Sequence, residues 1–140
     1  MKKIITHFVL FCFTALTLSG CGKTSVPAPR CRVVTRVDIA CRQEDLLIQR
    51  HYTSTEKMES VLLYLRILDP TGEPDIDPDS IKKDIYEITV HLSDGKKRIY
   101  RQKAHRYFSQ DFRPWKRIDP AQAAGLYTLM RTLQSDPEPI

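Results

Sequence analysis

The 140-residue chain carries 22 Lys and Arg against 17 Asp and Glu, a net charge of +5, with 41% hydrophobic and 28% charged residues. Those fractions are globular and exclude a disordered chain, and the length suits one domain around one core. The positive excess is too small to point to nucleic acid.

Lys2 and Lys3 open the chain with positive charge. Ile4, Ile5, Phe8, Val9, Leu10, Phe11, Phe13, Ala15 and Leu16 form an apolar run, and Leu18-Ser19-Gly20-Cys21 closes it. The order of charge, apolar run and small residues is that of a secretory signal, and the run is too short to span a bilayer comfortably. The four closing residues resemble the lipobox of bacterial lipoproteins. That resemblance covers the first 21 residues and implies cleavage before Cys21, with lipid on its sulfur and often on its new amine. It implies an extracytoplasmic protein on the cell membrane or outer membrane, similar to the small uncharacterised lipoproteins of cell envelopes. Each buried methylene contributes about 0.8 kcal/mol, so two or more acyl chains hold stably. Removing residues 1–20 leaves 20 basic and 17 acidic side chains.

Residues 21–32, with Pro27 and Pro29, read as the lipidated start and a tether. Residues 33–134 read as a single domain. A strand over 33–41 alternates, a turn follows at 42–45, and 46–52 returns as a second strand. Thr53 or Ser54 is expected to cap a helix, with Glu56 completing a capping box. Met58, Val61, Leu62, Leu65 and Leu68 form its apolar face. The proline- and acid-rich stretch 69–84 is a loop. Strands over 85–92 and 97–103 are joined at Asp94-Gly95, which suits a two-residue type I′ turn. A short hairpin over 105–118 follows. Asp119 caps the last helix, with Pro120 at its first position and Gln122 completing the box. Ala123, Leu126, Tyr127, Met130 and Leu133 form its core face, Gly125 marks close backbone packing, and 135–140 reads as a frayed tail.

The pattern is hairpin–helix, twice, and residues 34–39 echo 85–90. It predicts an α+β fold: one antiparallel sheet with both helices on one face. The uncovered face is the candidate binding surface. Counted from a two-residue turn, His91 falls opposite Arg98, Thr89 opposite Tyr100 and Glu87 opposite Gln102, with Arg36 and Asp38 extending that face. Trp115, with Tyr107, Phe108, Phe112 and flanking basic residues, reads as a seal on the end of the core or as a binding anchor.

Asp75, Asp77 and Asp79 have the alternate spacing of a calcium loop, but Ser80 stands where glycine is needed and Tyr86 where the bidentate glutamate belongs. The histidines lack metal-ligand spacing, so no metal or cofactor is expected. Cys31 and Cys41 flank a strand too extended for a disulfide. No nucleophile or phosphate motif occurs. The expected role is a non-enzymatic, membrane-anchored lipoprotein that presents its domain to an envelope protein, peptide or glycan. The alternatives are a small inhibitor or sensor acting through the open sheet face, and a cell-wall hydrolase.

Overall fold

The computed structural model describes residues 28–137; the signal-like segment and Cys21 lie outside the described residues. The strands are β1 (Val34–Gln43), β2 (Leu46–Tyr52), β3 (Ile85–Leu92), β4 (Lys97–Lys103), β5 (Tyr107–Gln110) and β6 (Lys116–Arg117). The first helix, α1, is Thr55–Ile67, and the second comes in two pieces, α2 (Pro120–Ala123) and α3 (Gly125–Thr132). All strands join one antiparallel sheet in the order β2-β1-β3-β4-β5-β6. The fold is therefore α+β, as the element pattern predicts. Strands β1 and β3 pair centrally, Val37 with Val90 and Ile39 with Ile88, so the two hairpins meet along their first strands. The second unit is longer, because β5 and β6 precede its helix.

Both helices cover one sheet face. Val37, Ile39 and Cys41 of β1, Tyr86, Ile88 and Val90 of β3, Tyr100 of β4 and Phe108 of β5 point into the core. From above, Met58, Val61, Leu62, Tyr64, Leu65, Ala123, Leu126 and Met130 meet them. Ala124 interrupts the second helix, and Gly125 after it sits beside the Tyr64 ring, whose atoms lie 3.8 Å from where a Cβ would sit.

The caps differ at the two helix starts. Asp119 accepts from Ala121 N at 3.2 Å, as expected. Ser54 makes no side-chain cap to α1. Instead Asp136 reaches back from the C-terminal tail, and its carboxylate accepts from Thr53 N and Ser54 N, both at 2.8 Å. Lys57 pairs with it at 3.0 Å. Ser135 Oγ accepts from His51 N, and Asp136 N donates to His51 O, so residues 135–136 are tied to the outer edge of β2 rather than frayed. A charged acceptor beside unpaired N–H groups is a stronger partner than a hydroxyl, which explains why the tail replaces the local box.

The tether expected over 21–32 also docks at its far end. Ala28 and Cys31 pack against the core, and Pro29 O accepts from Arg66 of α1 at 3.0 Å. Cys31 Sγ lies 3.7 Å from Thr55 O, and Cys41 is fully buried; both thiols are free.

Candidate functional site

The site is the sheet face that the helices leave uncovered. Its composition follows from the β3–β4 turn. Leu92 N donates to Lys96 O, Gly95 N donates to Leu92 O, and Gly95 has φ 88°. Ser93, Asp94 and Gly95 thus form a three-residue loop with a left-handed glycine at its end, not the two-residue turn expected. One extra loop residue moves the register by one and turns every β4 side chain over. His91 pairs with Lys97, Thr89 with Ile99, Glu87 with Arg101, and Ile88 with Tyr100.

Three expected site residues are thereby corrected. Tyr100 lies in the core at 1% exposure, against Phe108. Burial pushes its phenol up to about 12. Gln102 is also buried; its Oε1 accepts from Tyr64 OH and its Nε2 donates to Ala123 O at 3.1 Å. Arg98 shares the parity of the helix side but stands exposed at the end of β4, paired with Asp111 at 3.1 Å. Glu87 and His91 keep their places on the open face, because β3 keeps its own alternation.

Two groups of side chains occupy that face. The first is a charged row: Asp38 accepts from Arg36 Nε at 2.6 Å and pairs with His91 Nε2 at 2.8 Å. This is an acid–imidazole pair, but among the described residues no Ser, Thr or Cys side chain hydrogen-bonds the His91 ring. Arg36 and Asp38 of this row, with Gln49, Glu87 and Thr89, line a shallow hollow of about 230 Å³.

The second group is aromatic and basic. The Arg101 guanidinium lies between the rings of Phe112 and Trp115, its centre 4.6 and 4.7 Å from their centroids. Lys103 adds a second cation 5.3 Å from Trp115. Trp115 is therefore on the open face and does not seal the core. The expected cluster is split by β5 alternation: Phe108 is core, whereas Tyr107 and Ser109 face the other way. Tyr107 and Ser109 are buried by loops. Tyr107 OH hydrogen-bonds Asp75, which holds that carboxyl below its usual range, and Ser109 Oγ donates to Arg113 O at 2.6 Å.

Phe112 is displayed on a constrained turn. Asp111 and Phe112 have φ 49° and 60°, left-handed values that bulky side chains rarely adopt. The turn is pinned where Asp111 N donates to Ile99 O at 2.7 Å and Asp111 Oδ1 accepts from Ile99 N at 2.9 Å. Phe112 is left 64% exposed.

Arg101 and Lys103 are the site residues that alternation from the wrong turn length missed. One signal was available: Lys97, Arg101 and Lys103 share a parity, and three cations belong on a solvated face. Among the described residues no group of three or more His, Cys, Asp or Glu side chains could hold a metal. None of their helices is long and apolar enough to cross a membrane. No family model, curated protein or solved structure matches this chain.

Proposed function

We propose that the protein is a lipid-anchored, non-catalytic binding module, held on a membrane outside the cytoplasm through acyl chains on Cys21. Its open sheet face is the interaction surface. The observation that carries this is the side of the domain on which the anchor segment joins. Residues 28–31 lie against α1, through the Pro29–Arg66 and Cys31–Thr55 contacts, on the covered side of the sheet. The seven residue-to-residue steps from Cys21 to Ala28 reach at most about 25 Å. A domain tethered closely from its helix side turns the open face outward, toward a protein, peptide or glycan rather than the bilayer.

Replacing Cys21 with Ser is expected to abolish acyl labelling and release the protein from the membrane fraction. Unchanged labelling would overturn the anchor. A photo-crosslinker at Thr89, in the middle of the open face, tests the surface. It should yield a defined adduct in the native envelope, while the same group at exposed Leu63 on α1 should not.

A further inference from the structure

We propose that Arg101, clamped between Phe112 and Trp115, is an anion-recognition point that takes the carboxylates of an acidic peptide segment. This names a partner class for the open face and rests on that face being the interaction surface.

The argument starts from what Arg101 does not do. Glu87 stands directly across the strand pair from it, yet no ion pair joins them among the described residues. The guanidinium lies between the two rings instead, and its Nε is enclosed with no hydrogen-bond partner. Among the described residues its one side-chain hydrogen bond is a long one, from Nη2 to Ser109 Oγ at 3.5 Å. A guanidinium held against two rings has little rotamer freedom left to lose. Its terminal N–H groups form a preset fork, matched to a planar carboxylate that can accept two parallel hydrogen bonds. Lys103, on the same ring, adds a second positive charge beside the fork.

The backbone around the clamp supports a role beyond folding. Left-handed φ at Phe112 is strained for so bulky a side chain and persists only where surroundings enforce it. Here Ile99 enforces it through two hydrogen bonds, and the result is an exposed phenyl ring beside a cation. The core gains nothing from that ring, whereas an exposed aromatic next to a preset arginine is the pairing that dominates interfaces. The occupant is a peptide rather than headgroups, because the anchor segment joins on the opposite side of the sheet.

The test uses the mature lipidated chain in detergent micelles. A labelled hexaglutamate peptide is titrated in, with hexaglutamine as the neutral control. Trp115 is the sole tryptophan, so its emission reports on the clamp directly. Saturable anisotropy with a shift in Trp115 emission is expected for hexaglutamate alone. Arg101→Lys keeps the charge but loses the fork and should weaken binding about tenfold or more. Glu87→Gln removes a competing acid and should tighten it about two- to fivefold. Phe112→Gly relieves the left-handed strain, so it should weaken binding while leaving thermal stability equal or higher.

Binding by Arg101→Lys equal to that of the unaltered chain would overturn the proposal, since only diffuse charge would then be involved. So would a Trp115 shift in phosphatidylglycerol vesicles with none on hexaglutamate, which assigns the clamp to headgroups. The Thr89 crosslinker separates this failure from the broader one. Hexaglutamate adducts that persist in Arg101→Gln would remove Arg101 and keep the open face, whereas absence of any Thr89 adduct in the envelope removes the face itself.

Discussion

Tyr100 and Arg101 are neighbours in β4 and belong to opposite halves of the molecule. Tyr100 points into the core, 1% exposed, beneath the helices. Arg101 points the other way and lies between two rings near solvent. The face that holds Tyr100 is apolar and enclosed beneath the helices, with Gln102 as its buried polar member, tied to Tyr64 and Ala123, and Arg98 exposed at its rim. The face that holds Arg101 carries Arg36, Asp38, Glu87 and His91 around its aromatic clamp. One strand thus supplies the core with alternate residues and the open face with the others, and a mutation one position away tests a different property.

The largest effect should come from Tyr100→Ala. Removing a fully buried ring beside Phe108 is expected to cost about 3–5 kcal/mol in a chemical melt. A loss below 1 kcal/mol would place Tyr100 outside the core and erase the contrast. On the facing layer, Leu65→Ala and Met130→Ala should each cost about 2–5 kcal/mol, because both are almost wholly enclosed. Gln102→Leu comes next. It strips Tyr64 OH of a buried partner and should cost about 1–3 kcal/mol.

Asp136→Asn tests the clasp at the start of α1 and should cost about 1 kcal/mol at neutral pH, in the range of a lost helix cap. Hydrogen bonds from Ser54 N and Thr53 N, with Lys57 after them, hold the Asp136 carboxyl well below the usual carboxylate range. A depressed native pKa stabilises fully above the unfolded value of about 3.9 and loses that contribution as pH falls through the native value. The gap between parent and variant should therefore be constant from pH 5 to 8 and narrow below about pH 4. The smallest effect is expected for Trp115→Ala, within about 1 kcal/mol, because Trp115 packs on cations at the surface and not in the core. A loss of several kcal/mol would return Trp115 to a sealing role.

These residues also show what the sequence makes legible. The α1 stripe of Met58, Val61, Leu62 and Leu65, the Asp119 cap and the alternation of β1 and β3 all express local periodicity, and each element forms where that periodicity puts it. The β4 register does not follow from β4 itself. Lys97 to Lys103 carries charge in both parities, with Ile99 in one and Tyr100 in the other, so the face of each residue depends on whether the Ser93–Gly95 loop has two residues or three. The same Asp94-Gly95 pair serves either turn. Contacts distant in sequence were equally hidden: nothing near Ser54 indicates that its partner is Asp136, and Phe112 beside Arg101 requires both the register and the left-handed turn.

The Asp136 clasp also sets an order of completion. Eighty-two positions separate Ser54 from the carboxylate that receives its N–H. A chain released N-terminus first, from a ribosome or through a translocation pore, has α1 in hand long before it has Asp136. The first helix keeps an unfinished end until almost the whole domain has emerged. Contacts of such span slow folding, because a long loop must close before they form. The bonds that finish the first helix therefore close only after the last turn of the second has emerged.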